Sequence, residues 1–159
     1  MSVGSSWGEF ATAAPELAEA GRRLLYRHGP GLGYLATVRP DGGPRVHPVC
    51  PHVAEARLWV FIGHASPKRF DLQRDPRYAL HAFPSAEVDD EFFVSGEATP
   101  LADAATEATI RASLPFNSDA EDQPFELSIE RALLATYAGR PSWPPVYSRW
   151  RASSSPAPS

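Results

Sequence analysis

Residues 33–50 read GYLATVRPDGGPRVHPVC, and this stretch predicts a β-hairpin. The segment from Gly33 to Arg39 is apolar and rich in strand-forming residues, and the segment from Arg45 to Cys50 follows as the returning strand. Between them, Pro40-Asp41-Gly42-Gly43 is a strong turn signal, because proline and glycine supply the backbone angles that tight turns require. The chain therefore contains at least one pair of antiparallel strands.

The residues before this hairpin predict a covering helix. Ser6 is a good N-cap, and an amphipathic pattern runs to about His28, with Pro15 expected to split the helix into two pieces. Gly29-Pro30-Gly31 is expected to end the helix. The run from Gly29 to Gly33 resembles a dinucleotide-binding fingerprint only in its glycine content, because it follows a helix and precedes a strand, which is the reverse of the required order.

The residues after the hairpin predict further strands, interrupted by two short helices. The segment from Arg57 to Gly63 is apolar on both faces, which is typical of a central strand. Asp103 opens an alanine-rich helix that runs to about Ser113. The remaining predicted elements are a helix from Pro67 to Arg74, strands from Arg77 to Phe83 and from Glu91 to Leu101, and an alternating strand at Phe125, Leu127 and Ile129.

Hairpins and short connections separate most of the predicted strands. A doubly wound parallel sheet needs a crossover helix between nearly every pair of strands, and this chain lacks them. The pattern therefore predicts a mostly β fold of the α+β class, an antiparallel, Greek-key-like barrel with a few peripheral helices. We expect residues 1–151 to form a single domain with an N-terminal helix at residues 6–28, and residues 152–159 to form a disordered tail.

Composition narrows the classes of function. The chain has 159 residues, of which 43% are hydrophobic and 21% charged, as in one soluble globular domain. A net charge of −4 argues against a nucleic-acid binder. Cys50 is the only cysteine, which excludes an internal disulfide and a multi-cysteine zinc site and fits a cytoplasmic location. No apolar run approaches the ~20 residues that span a bilayer, so we expect no membrane partner.

The helix predicted to begin at Pro67 carries charges of the wrong sign at its start. Because Ser66 is a good N-cap and Pro67 a good first residue, Lys68 and Arg69 lie in the first turn. Free backbone N–H groups and the helix dipole already make this end positive, so two cations there oppose the local preference unless an anion joins them. A phosphate is the natural anion, and we interpret this turn as the anchor of a phosphorylated ligand. The alternative is a solvated helix that merely tolerates its basic residues.

The order of these motifs resembles the pyridoxamine 5′-phosphate oxidase-like family, which has the FMN-binding split β-barrel fold. The resemblance implies an FMN-dependent oxidoreductase that transfers hydride at the flavin ring to or from a small organic substrate. It also implies a homodimer with the cofactor at the subunit interface. The segments that carry the resemblance are Tyr34–Val38, Asp41–Val49, Trp59–Gly63, Ser66–Arg69 with Leu72, Asp75-Pro76, Ala79-Leu80, Phe93–Ala98 and Tyr147–Trp150.

The resemblance also implies which residues contact the cofactor. Its phosphate-binding positions fall on Ser66 and Lys68, with Arg69 nearby. His47 stands where the oxidases proper have an arginine that reaches the cofactor, although a half-buried histidine bonded to a neighbour is the alternative. Arg149 matches an arginine that approaches the isoalloxazine ring, where a cation would stabilise negative charge on the reduced ring. The remaining implied contacts are Val49 on the strand face of His47, and Ile62 and Gly63 at a strand end.

Several features leave the reaction and the cofactor open. The segment from Trp143 to Tyr147 lacks the Arg and His pair that the oxidases proper use on pyridoxine, so a true vitamin B6 oxidase is not expected, and no residue stands out as a general acid or base. The same fold hosts deazaflavin-dependent reductases and heme-handling proteins. The alternatives are therefore a deazaflavin-dependent reductase, or a non-catalytic carrier or sensor of flavin or heme. The acidic tail of a deazaflavin would need extra cations, for which the candidates are Arg39, Arg45 and Arg77.

Histidines and aromatic residues complete the candidates. The histidines lack the spacing of metal ligands on a helix, so no metal site is expected; they are His28, His52, His64 and His81. The aromatic residues near the C-terminus either stack on a planar ring or are buried against a partner subunit; they are Trp143, Tyr147 and Trp150.

Overall fold

The computed structural model describes residues 4–139 and 142–154, and that part of the chain contains four helices and nine strands. The helices are α1 (Trp7–Ala13), α2 (Pro15–Leu25), α3 (Pro67–Arg74) and α4 (Ala104–Ser113). The strands are β1 (Gly33–Val38), β2 (Pro44–Val49), β3 (His52–Ala54), β4 (Arg57–Ile62), β5 (Arg77–Ala82), β6 (Glu91–Pro100), β7 (Gln123–Leu127), β8 (Arg131–Thr136) and β9 (Val146–Arg151).

The strands form a split barrel. Every ladder among them is antiparallel, in the order β2-β1-β5-β6-β7-β4-β3, with β8 beside β6 and β9 beside β8. β2 and β3 stand at the two ends of this order, although only Cys50 and Pro51 separate them in the chain. Within the described residues no ladder joins β2 to β3, so the split lies between them. The prediction of a mostly antiparallel split β-barrel is confirmed.

The predicted helices differ from the observed ones mainly at the N-terminal helix. Pro15 divides it as expected, but α2 ends at Leu25 rather than near His28. The chain turns back there, because the Leu32 N–H donates to the Leu25 carbonyl at 2.9 Å and leads into β1. The predicted bounds of α3 match the structure. Asp103 caps α4, accepting a hydrogen bond from the Thr106 N–H at 2.8 Å.

Three strands were not predicted. β3 has only three residues, too few for a periodic pattern. β8 reads RALLAT, a composition that favours a helix, and becomes a strand because it pairs with both β6 and β9. β9 is almost wholly exposed and shows no alternation of apolar and polar residues. In each case tertiary pairing, rather than local preference, decides the conformation.

The core lies between the inner face of the barrel and helices α1 and α2. Fully buried side chains fill it, including Phe10, Val60, Phe92 and Phe125. Gly21 lets α2 lie directly on Phe92, because a Cβ at this position would stand 2.3 Å from the ring. Gly96, predicted to mark a bend or close packing within its strand, has a comparable role. A Cβ there would stand 2.1 Å from the Ser128 carbonyl oxygen.

Parts of the predicted domain and tail lie outside the described residues: residues 1–3, 140–141 and 155–159. The chain is still attached to the sheet at the start of the predicted tail, because the Ala152 N–H donates to the Glu130 carbonyl at 2.9 Å. Of the four helices in the described part of the chain, none is both long enough and apolar enough to cross a bilayer.

Candidate functional site

A buried carboxylate fixes helix α3 to the first hairpin. Asp71 is 2% exposed and accepts hydrogen bonds from Thr37 Oγ1 at 2.8 Å and Arg45 Nε at 2.6 Å. Arg74 approaches its other oxygen at 3.4 Å. Burial alone would raise the pKa of Asp71, but the hydrogen bonds from Arg45 and Thr37 outweigh it and hold the pKa below its ordinary value. Asp71 is therefore ionised and joins α3 to β1 and β2.

The first turn of α3 presents two cations that have no carboxylate partner in residues 4–139 and 142–154. Lys68 Nζ donates to Ser66 Oγ at 3.2 Å, and Arg69 Nη1 donates to the His64 carbonyl at 2.9 Å. Arg69 Nε is buried and has no acceptor among the described residues. The turn contains no acidic residue. Since a buried donor without a partner costs free energy, an anion that reached Arg69 would be stabilised there.

Ser66 occupies the N-cap position but does not cap the helix with its side chain. Its backbone is extended, with φ −73° and ψ 133°, as expected of an N-cap residue. Its hydroxyl accepts no hydrogen bond from a backbone N–H of the turn and accepts one from Lys68 Nζ instead. Ser66 therefore stands at the N-cap position as predicted, but the predicted side-chain cap is absent. The backbone N–H groups of the first turn stay accessible to another acceptor.

His47 lies within electrostatic reach of this turn. Burial lowers the pKa of His47, and the charges of Lys68 and Arg45 lower it further. Burial and then Arg45 likewise lower the pKa of Lys68. Within the described residues no hydrogen bond is found from the His47 ring, so the alternative of a histidine bonded to a neighbour receives no support. We call Ser66, Lys68, Arg69, Arg45 and His47 the anchor cluster.

Val49, Ile62 and Gly63 lie around this cluster. Val49 shares the inner face of β2 with His47 and is 9% exposed. Ile62 ends β4 with its side chain in the core, at 1% exposed. The Gly63 carbonyl accepts from the Ser66 N–H at 2.9 Å, so β4 leads directly into the turn before α3. Because the Ile62 side chain is buried, only the backbone of Ile62 and Gly63 is available to a ligand.

Arg149 does not join the anchor cluster in the same chain. The register places His47 in a row with Leu35, Leu80, Val94, Ala132 and Trp150, and places Arg149 in the neighbouring row, opposite Leu133. Successive residues of a strand point to opposite faces, so His47 faces inward and Arg149 faces outward. The strands β1, β5, β6 and β8 also lie between them in the sheet. The two predicted ends of the cofactor site are therefore separated within one subunit.

The arginines considered for an acidic cofactor tail already have carboxylate partners. Arg39 bonds to Asp41 at 3.1 Å, Arg45 to Asp71 at 2.6 Å, and Arg77 to Asp75 at 2.6 Å. Their charges are neutralised within the chain. The structure gives no support to a tail-binding role for any of the three.

The C-terminal aromatic residues have different environments. Trp150 packs on the core, with its ring centroid 5.0 Å from that of Phe10. Trp143 is 76% exposed and Tyr147 is 44% exposed. The Arg149 guanidinium lies 4.8 Å from the Tyr147 ring centroid. Trp150 is therefore a partly buried residue that packs against the core, whereas Trp143 and Tyr147 are exposed.

Sequence reasoning missed the role of Asp71. An aspartate inside a short helix carries no distinctive signal, and its importance arises from Thr37 and Arg45, which are 34 and 26 residues away in the chain. The sequence did contain one signal for the anchor cluster that did not enter the prediction. The chain has 15 Lys and Arg residues, and Lys68 is the only lysine among them. A single lysine at the start of a helix is a compositional exception that deserved more weight.

Comparison with known families and structures agrees with the architecture. The family model described as pyridoxamine 5′-phosphate oxidase matches residues 19–141, which is more than half of the chain. Among proteins with curated descriptions, none matches this chain.

Similar solved structures include proteins with different ligands in their names. A heme binding protein from Mycobacterium smegmatis is 17% identical with a TM-score of 0.63, and the alignment covers 84% of this chain and 57% of that protein. The heme storage protein HutZ from Vibrio cholerae is 17% identical with a TM-score of 0.59, covering 74% and 89%. A pyridoxamine 5′-phosphate oxidase-related, FMN binding protein from Nostoc punctiforme is 14% identical with a TM-score of 0.58, covering 91% and 96%. At these identities the likeness establishes the fold alone.

Proposed function

Because the chain belongs to the pyridoxamine 5′-phosphate oxidase family, we propose that it is an FMN-dependent oxidoreductase acting on a small organic substrate. The observation that carries the proposal is the anchor cluster. It combines two cations in the first turn of α3, a buried Arg69 Nε without an acceptor, and an ionised Asp71 that positions the helix. This arrangement fits the phosphate of FMN.

The chain's own residues have distinct tasks in this proposal. Lys68, Arg69 and the Ser66 hydroxyl bind the phosphate, while Asp71 holds Arg45 and α3 in place. When bound, the flavin supplies hydride transfer at its ring, so the protein needs no side-chain nucleophile. Arg149 stabilises negative charge on the reduced ring. Because Arg149 faces away from the anchor cluster of its own chain, we propose that it acts in the site of a second subunit.

Subunit complementation tests this arrangement. Lys68→Ala should weaken FMN binding by roughly 1.5–3 kcal/mol, through loss of a charge-assisted hydrogen bond. Arg149→Ala should change the reduction potential of bound FMN more than its affinity. If each site takes Lys68 from one subunit and Arg149 from the other, mixed dimers of the two variants regain one intact site. Random mixing should then restore about a quarter of the sites to wild-type affinity and potential.

The contrary outcomes are equally specific. No regain on mixing, together with a dimeric wild-type protein, would show that the two residues do not share a site between subunits. Unchanged FMN affinity in Lys68→Ala would show that the phosphate is bound elsewhere. Arg57→Gln is the matched control, because Arg57 is exposed on β4 and its Glu126 partner lies 3.5 Å away. This control should leave both readouts unchanged.

A heme carrier is the second candidate, favoured by the named ligands of two structural neighbours and by His81. His81 Nδ1 lies 2.6 Å from the Ala82 carbonyl, which can only accept, so Nδ1 donates and Nε2 is the nitrogen that could bind iron. Retention of hemin with a Soret band, and no retention of FMN, would replace the first proposal with this one. The deazaflavin cofactor and the cytoplasmic location stay predictions.

A further inference from the structure

A cavity of about 500 Å³ lies between helix α2, strand β8 and the segment that joins β5 to β6. Its volume is in the ordinary range of small-molecule sites. Among the described residues that line it, none belongs to the anchor cluster. The strands β1, β5 and β6 also lie between β8 and β2 in the sheet. The cavity is therefore separate from the site proposed for the FMN phosphate.

Part of the cavity wall is apolar. Ala20 and Leu24 lie four residues apart on α2, so they share one side of the helix. Leu134 of β8 is partly buried and packs against the core. Val88, which is half-buried, adds an apolar side chain from the joining segment. An apolar group that enters the cavity is therefore removed from water by these side chains, which favours its binding.

The wall also has a cation and an anion that do not pair with each other. Arg23 and Asp90 both line the cavity. In residues 4–139 and 142–154, no carboxylate lies within ion-pair distance of Arg23. Asp90 Oδ1 accepts a hydrogen bond from the Tyr137 N–H at 2.9 Å, and Oδ2 has no donor among the described residues. Opposite charges therefore stand on the wall of one cavity without neutralising each other.

A ligand with a single charge fits this wall poorly, because an anion at Arg23 also meets the Asp90 carboxylate and a cation at Asp90 also meets Arg23. A zwitterion gives each residue its opposite charge. We propose that the cavity binds a free amino acid with an apolar side chain. Arg23 binds its carboxylate, Asp90 binds its ammonium group, and its side chain packs on Leu24 and Leu134. This site is additional to the proposed function and does not depend on it.

Three matched compounds test the proposal: L-leucine, 4-methylpentanoate, which lacks the ammonium group, and 3-methylbutylamine, which lacks the carboxylate. Calorimetric titration of the full chain should show saturable binding of leucine, at least about tenfold tighter than that of either analogue, because each analogue lacks one charged group. Arg23→Gln should weaken leucine by about fivefold or more and leave 3-methylbutylamine no weaker. Asp90→Asn should weaken leucine by about the same factor and leave 4-methylpentanoate no weaker.

Arg22→Gln is the matched control, because this neighbouring arginine of α2 lies over the Tyr26 ring, 5.5 Å from its centroid, and does not line the cavity. It should leave the affinity for all three compounds unchanged.

Thermal unfolding separates binding from folding in the same variants. Arg23 is exposed, and the asparagine in Asp90→Asn keeps an oxygen for the Tyr137 N–H, so both midpoints without ligand should stay within about 2 °C of wild type. Leucine at about 100 times its Kd should raise the wild-type midpoint by about 5–10 °C. Absence of saturable leucine binding, equal affinity for the three compounds, or unchanged leucine affinity in both variants would overturn the proposal.

Discussion

The anchor cluster and the arginine face, by which we mean the outward-facing Arg131, Arg149 and Arg151 of β8 and β9, are both rich in cations, but the protein treats their charges in opposite ways. In the anchor cluster, Arg45 bonds to the buried Asp71, and Lys68 bonds to the Ser66 hydroxyl. In the arginine face, Arg131 stands opposite Arg151 without a carboxylate partner among the described residues. The first region is preorganised by an internal carboxylate, whereas in the second two like charges stand directly opposite each other.

This difference suggests two kinds of anion site. A site preorganised by buried hydrogen bonds loses little entropy when its ligand binds, which suits a retained cofactor. Exposed guanidinium groups are instead screened by salt, so they hold an anion less firmly. The contrast therefore agrees with a retained cofactor at α3.

The largest expected effect comes from removing the internal carboxylate. Asp71→Asn should lower the free energy of unfolding by about 3 kcal/mol, because Arg45 and Thr37 lose a buried charged partner. Urea unfolding at pH 7 measures the change. Asp75→Asn is the control, since its partner Arg77 is 71% exposed, and it should cost about 1 kcal/mol or less. A loss below about 1 kcal/mol for Asp71→Asn would show that the anchor cluster is no better preorganised than the arginine face.

The pH dependence of the Asp71 effect has a definite sign. The folded protein holds the pKa of Asp71 below 3.8, so the carboxylate contributes its full stability above the pKa of the unfolded chain. That contribution is lost as the pH falls through the folded pKa. The difference between wild type and Asp71→Asn should therefore diminish below about pH 4. A difference that stays constant down to pH 2 would contradict the assignment.

A smaller effect is the pH dependence of FMN affinity at the anchor cluster. The pKa of His47 is lowered from 6.5 by burial, Lys68 and Arg45, so the ring is mostly neutral at pH 7. A bound phosphate favours the protonated ring, so FMN affinity should rise, by up to about tenfold, as the pH falls from about 7.5 to 5.5. His47→Gln should lose this increase, and comparing the two proteins cancels the titration of the phosphate itself.

The smallest effect concerns the two predicted helix caps. Ser66→Ala should change the free energy of unfolding by less than about 0.5 kcal/mol, because the hydroxyl does not cap α3. Asp103→Ala should cost about 1 kcal/mol, because that carboxylate accepts the Thr106 N–H. Denaturant unfolding of the pair gives the comparison. Equal losses would show that Ser66 caps α3 in solution and that its turn is less accessible than proposed.

Prediction from sequence worked where the signal is local. The hairpin at residues 33–50 and helix α3 are confirmed, because turn residues, a proline at the first helical position and a following Asp-Pro act on their immediate neighbours. β8 and β9 were missed, because RALLAT favours a helix and β9 has no periodic pattern. The cations of α3 were identified from their position in the first turn. The role of Asp71 in holding this helix in place was not predicted, because it depends on the contact between α3 and β2.

The sequence by itself determined the turn chemistry, the helix start at Pro67 and the presence of two cations in that turn, because each depends on a few adjacent residues. Only the tertiary structure decided that His47 faces inward beside Lys68 while Arg149 faces outward. Successive side chains of a strand point to opposite faces of the sheet. The face that a given side chain occupies is therefore decided only when strand pairing sets the register. That pairing joins residues distant in the chain, and it separates the anchor cluster from the arginine face.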